Sequence, residues 1–310
     1  MQATVMMLLA IISGTTNSSV ANDLMKQCAD QSSYPADERI ASCSALLGHR
    51  YLSNNDRAET LYNRGVAYNE KRLWDQAVLD YTEALKLRPN YEFAFVNRGI
   101  AYSNKGQFGR AISDYSEAIK LSPRDARAYG NRANVYARNG KCAFAVKDYD
   151  KAIELDPQNA RTFLNRAVCY DRMKRFDAAE ASYSESIRLD SSNADPYNGR
   201  CYVLIERGNP QQALADCDKA LMLAPNDPEI WDTRGYAHLS LSRFSDAIRD
   251  YSKALELQPK LASSLYGRGV ARVNTGDKAG NADIRAALRI DPGIAHKVHF
   301  LNAKALPRQK

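Results

Sequence analysis

The chain has 310 residues, 45% hydrophobic and 25% charged, with 43 Lys and Arg against 36 Asp and Glu for a net charge of +7. Acidic residues are interspersed among the basic ones along its whole length, so the excess is not gathered into the face or run that nucleic-acid binding needs. No pair of the six cysteines has CxxC spacing and there are only four histidines, which leaves no zinc or redox motif.

The first segment is Val5 to Ile12, an apolar run, followed by the small and polar stretch Ser13 to Ser19. Such a run is far too short to span a bilayer. Ser19-Val20-Ala21 is a small-x-small site, so residues 1–21 read as a secretory signal peptide cut after Ala21, although no Lys or Arg precedes the run. The expected location is periplasmic or secreted, with no transmembrane span in the mature protein; without a functional signal it would be cytoplasmic. Met25-Lys26-Gln27 before Cys28 lacks the small residues of a lipidation site. Residues 22–57 are expected to form an N-terminal helical cap. In an oxidising compartment Cys28 and Cys43 would bridge and staple it, a loop closure worth about 3 kcal/mol.

From residue 58 one interval dominates. Arg64, Arg98, Arg132, Arg166, Arg200, Arg234 and Arg268 stand 34 residues apart. Ala77, Ala111, Ala145, Ala179, Ala213 and Ala247 keep the same beat, as do Tyr81, Tyr115, Tyr149, Tyr183 and Tyr251. A fixed period of this length means an array of one supersecondary unit. In residues 126–159, Tyr129, Ala133 and Tyr136 recur at helical spacing. Asn139-Gly140 ends that helix. Ala145, Tyr149, Ala152 and Ile153 form a second apolar face, and Asp156-Pro157 stops it. The fold class is therefore all-α, with repeats at 58–91, 92–125, 126–159, 160–193, 194–227, 228–261 and 262–294. Residues 295–310 are expected to be a C-terminal capping helix and tail.

The segments YNRGVAY…WDQAVLDYTEALKLRP and YGNRANVYARNGKCAFAVKDYDKAIELDP resemble the tetratricopeptide repeat (TPR) family, and the chain looks like the exported bacterial TPR arrays. The resemblance spans residues 58–294. It implies a right-handed α-solenoid of about seven helix-turn-helix repeats, and a non-enzymatic module that binds a protein or peptide in its concave groove. The alternative is an envelope assembly scaffold that docks subunits on convex or terminal surfaces. Two departures stand out. Arg replaces the family's Leu before the small residue of the first helix in all seven repeats. Repeat five carries Gly199, Cys201 and Cys217 in place of Asn, Gly and Tyr. The exact spacing of 34 separates the chain from the pentatricopeptide RNA readers, whose period is 35.

Sixteen residues after most of the arginines stands an aspartate: Asp80, Asp114, Asp148, Asp216 and Asp250, with Asp283 one residue short and Ser182 in repeat four. A buried arginine needs a partner, so the pairs are expected to form a structural ladder. The open question is whether each partner lies in the same repeat or the next. Asn63, Asn97, Asn131 and Asn165 repeat one position on the helix that lines the concave face in the family. An amide there both donates and accepts, so it can pair with a peptide backbone of any sequence; the alternative is a helix-capping or inter-repeat hydrogen bond. Asn134, Arg127, Arg138, Arg161, Arg172, Tyr202 and Tyr236 extend this stripe at helical spacing. The ligand expected on it is an extended segment, acidic near its middle, with apolar or aromatic side chains by the tyrosines. Tyr62 and Val66 take the places of the Lys and Asn that clamp chaperone carboxyl termini in some relatives. Cys142, Cys169, Cys201 and Cys217 fall at packing positions and read as buried thiols. No phosphate-cradling Gly loop and no nucleophile with a base beside it occurs. His49, His238 and the pair His296 and His299 do not make a metal site. No cofactor is expected.

Overall fold

The computed structural model describes residues 18–48 and 52–297, and the regular elements among them are all α-helices. The run Val5 to Ile12, His49, His299 and most of the expected C-terminal cap and tail lie outside the described residues. The chain divides into two compact units, residues 1–155 and 156–310.

The first unit contains α1 (Ser18–Ala29), α2 (Ala36–Leu47), α3 (Asn54–Glu70), α4 (Trp74–Leu87), α5 (Glu92–Asn104), α6 (Phe108–Leu121), α7 (Ala126–Arg138) and α8 (Cys142–Leu155). The second contains α9 (Ala160–Arg172), α10 (Phe176–Leu189), α11 (Asp195–Glu206), α12 (Pro210–Leu223), α13 (Pro228–Ser240), α14 (Phe244–Leu257), α15 (Ala262–Asn274), α16 (Gly280–Ile290) and the short α17 (Ile294–Lys297). In each unit, consecutive helices pair into hairpins, and each hairpin packs on the next through its second helix. The array is thus a tetratricopeptide-like stack, all-α, of helical hairpins.

Each hairpin turn from 58 onward uses a left-handed residue at the same repeat position. Gly106, Gly140, Gly208 and Gly276 have φ between 71° and 84°, and Arg72, Lys174 and Ser242 are forced to 56–58°. The second helices end two residues before Pro89, Pro123, Pro157, Pro225 and Pro259, because proline disfavours helical backbone in the residue ahead of it. Side-chain caps open several first helices: Ser53 accepts from the Asp56 amide, Asp125 from Arg127, Asn159 from Thr162 and Asp227 from Glu229.

The core depends on small residues facing tyrosines. Ala77, Ala84, Ala111, Ala118, Ala213 and Ala247 have no exposed surface, so the helices approach closely. A Cβ on Gly65 would come within 2.6 Å of the Tyr81 ring, and one on Gly235 within 2.9 Å of Tyr251. Repeat five solves the same contact differently. Cys201 takes the glycine place and Cys217 the tyrosine place, and the two form a disulfide with Cα atoms 5.6 Å apart. This corrects the reading of these two cysteines as buried thiols. Two thiols at neighbouring core positions fill less space than a tyrosine, and a covalent bond closes the gap. Cys142 and Cys169 are buried and belong to neither disulfide.

Cys28 and Cys43 bridge α1 and α2, with Cα atoms 4.9 Å apart. Ser42 donates to Gln27 at 2.8 Å one residue earlier on each helix. Gln27-Cys28 and Ser42-Cys43 thus hold the places that Arg200-Cys201 and Asp216-Cys217 hold in α11 and α12. The segment expected as a cap is a further hairpin on the same plan. It is tied to α3 by Arg39, whose side chain is 1% exposed and pairs with Glu70. Helix α1 also runs unbroken through Ser19-Val20-Ala21.

Candidate binding surface

The arginine on each first helix reaches across its own hairpin. Arg64, Arg98, Arg132, Arg200, Arg234 and Arg268 each grip one carboxylate with Nε and Nη2 at 2.7–2.9 Å: Asp80, Asp114, Asp148, Asp216, Asp250 and Asp283 in turn. The partner is in the same repeat. The third nitrogen, Nη1, reaches the preceding hairpin, donating to Ser44, Thr82, Ser116, Ser184, Asp218 and Ser252. Arg166 donates Nε to Ser182 at 3.2 Å. Aromatic rings flank several guanidinium groups, with Trp231 4.8 Å from Arg234 and Phe163 5.3 Å from Arg166. Burial pushes the Asp114 carboxyl up, against the pull of Arg98. The hydrogen bond to Asp148 raises Arg132 further above its ordinary value. These groups are committed to one another and tie the two helices of a hairpin together.

Asn63, Asn97 and Asn131 in the first unit and Asn165 in the second are all half-buried. Asn97 donates one amide hydrogen to the Tyr62 hydroxyl at 2.9 Å, which leaves its oxygen and second hydrogen for other use. Asn63 lines a cleft of about 160 Å³ with Cys28, Leu46, Asp56, Glu59 and Thr60. Asn134 accepts from Tyr149 at 2.7 Å. Arg127 is 72% exposed and pairs with Asp125 at 3.1 Å. Arg138 donates to Ser103 at 2.9 Å and lies over the Phe108 ring. Arg161 and Arg172 are exposed. Tyr236 differs from its expected placing on an open face. Its ring is 7% exposed and its hydroxyl donates to Glu206 at 2.8 Å. Tyr202 stays half-buried, its ring centroid 6.3 Å from that of Tyr236.

The second unit also has a cleft of about 320 Å³ on its first-helix face, walled by Asp171, Asn198, Tyr202, Glu229, Asp232 and Ser263 among others. Burial lifts the Asp171 and Asp232 carboxyls to about 6. Sequence reasoning passed over Asn198 and Asp232. Their repeat position reads Tyr62, Val96, Gly130, Leu164, Asn198, Asp232 and Tyr266. Two adjacent polar residues in an otherwise apolar or glycine series were the available signal. His238 Nε2 faces Asp250 at 3.6 Å. Among the described residues no three His, Cys, Asp or Glu side chains converge on a possible metal position.

Stacked hairpins with a polar first-helix face define a class of repeat proteins built to hold other molecules. Sequence profiles described as tetratricopeptide repeat match residues 58–91, 96–160, 131–194 and 164–228, and one described as TPR repeat matches 235–276. The chain belongs to the tetratricopeptide repeat family, whose members are protein-interaction modules. No curated protein matches it. Among solved structures it is similar to a tetratricopeptide repeat protein of Parabacteroides merdae (19% identity, TM-score 0.58, covering 81% of this chain and 98% of that one). It is also similar to PilF of Pseudomonas aeruginosa (21%, 0.56, 65% and 92%). A third is the Cut9–Hcn1 hetero-tetramer of the APC/C (16%, 0.61, 90% and 54%). At these identities the likeness is one of fold. No helix among the described residues is long and apolar enough to cross a membrane.

Proposed function

We propose that this protein is a non-enzymatic module that grips an extended peptide segment of a partner on the first-helix faces of its hairpins. The carrying observation is the asparagine repeated at one half-buried position, Asn63, Asn97, Asn131 and Asn165, the first three on helices held by Arg–Asp pairs and the fourth on the helix whose Arg166 bonds Ser182. Their amides pair with peptide groups whatever the sequence, and Arg127, Arg138, Arg161 and Arg172 add attraction for acidic side chains. Two disulfides, Cys28–Cys43 and Cys201–Cys217, favour an oxidising compartment, which supports the periplasmic or secreted reading.

A scaffold role is the second reading, favoured by apolar side chains left exposed on second helices, Leu79 at 66%, Phe144 at 56% and Met222 at 76%. Crosslinking in the native compartment followed by pull-down with Asn131→Ala and Asn165→Ala separates the two. Loss of the captured partner supports the first-helix face. Capture that survives both substitutions overturns it in favour of the scaffold.

A further inference from the structure

The cleft of the second unit has an unusual balance of hydrogen-bonding groups. Asp171, Glu229 and Asp232 line it, and no Lys, Arg or His does. Asn198 lines it too, and its side-chain oxygen is buried without a hydrogen-bond partner. Glu206 lies close enough to act on Asp171. Ser264 of α15 donates to Asp232, and Tyr236 donates to Glu206. The Asn198 oxygen, withdrawn from water without a donor, is costly where it stands. A ligand that brings several donors and a positive charge relieves that cost. No three of these carboxylates converge on one position among the described residues. The complement is an organic cation with donors spread over a wide head. A guanidinium has five N–H donors in a plane. The half-buried Tyr202 ring offers it a face, and Leu261 on the cleft wall meets its apolar stem. Arg172 acts on Asp171 from the same helix but is exposed and does not line the cleft.

We propose that this cleft is a specificity pocket for an arginine side chain of the bound peptide. The inference rests on the peptide-gripping reading above and adds to it the residue read at one position. The asparagines hold backbone without regard to sequence; the cleft selects a basic side chain.

The test uses the full chain and three fluorescein-labelled peptides that differ only at one central position, carrying arginine, glutamine or glutamate. Fluorescence anisotropy should rank arginine first, with about tenfold tighter binding than glutamine, the worth of one charge-assisted hydrogen bond. Glu229→Gln and Asp171→Asn should each remove most of that preference and leave the glutamine peptide unchanged, with helicity checked by circular dichroism. Equal affinity for arginine and glutamine overturns the pocket and leaves the gripping surface standing. So does an arginine preference untouched by both substitutions. If none of the peptides binds, the gripping surface falls and the pocket with it.

Discussion

Replacing Arg132 by methionine removes a guanidinium that holds Asp148 with two bonds of 2.7 and 2.8 Å and Ser116 with a third of 2.9 Å. The methionine fills much of the same space, so the main loss is electrostatic. Asp148 keeps only 10% of its side chain exposed, against 19% for Arg132, and is left as a nearly buried carboxylate with no counter-charge. Stranding one member of a buried pair costs about 3–5 kcal/mol; the residual exposure here brings the expected loss to roughly 2–4 kcal/mol. Arg132→Met with Asp148→Leu removes both charges and should recover most of it. Urea unfolding followed by helical circular dichroism reads both variants. Because the chain has two units, the transition is fitted with an intermediate where the trace requires one. A neutral single variant, or a double variant as unstable as the single, would refute the claim that the pair carries the hairpin.

Backbone strain predicts a gain elsewhere. Lys174→Gly and Ser242→Gly relieve left-handed conformations at φ 56° and 57° and should each raise stability by about 0.5–1 kcal/mol in thermal unfolding. Alkylation under denaturing, non-reducing conditions should modify two cysteines, Cys142 and Cys169, and all six after reduction. Reducing the Cys201–Cys217 bridge should lower the stability of the second unit by about 3 kcal/mol. Burial holds the Asp232 carboxyl at about 6 instead of 3.8, so the folded chain binds that proton more tightly than the unfolded one. Its contribution is complete below about pH 4 and is lost as pH rises through 6. Asp232→Asn should therefore stabilise the protein at pH 8, by on the order of 1–3 kcal/mol, and do little at pH 4. An equal effect at both values would show that the carboxyl is not desolvated.

Much of this architecture is readable in one dimension. A 34-residue period, with glycine or proline marking the turns, is local information, because a hairpin closes within a single repeat. The Arg–Asp spacing of sixteen was visible for the same reason. The hydroxyl that takes the third guanidinium nitrogen, such as Ser116 for Arg132, was also there in period but not recognised. A serine on a helix has no pattern that marks it until the neighbouring hairpin is set against it. The degenerate repeat at Gln27-Cys28 and Ser42-Cys43 was hidden because its residues differ from the rest and only their places agree.

The sequence alone determined that this chain is a repeat array and which residues share a helix face, because both follow from helical periodicity within short segments. The tertiary structure decided which of those faces stay open. Tyr236 was on the expected stripe, yet packing carried its ring inside and gave its hydroxyl to Glu206. Asp171, Asn198 and Asp232 come from three successive first helices and meet only when hairpins stack. Side-chain direction and lateral contact between repeats have no signature along the chain; they arise from close packing in three dimensions.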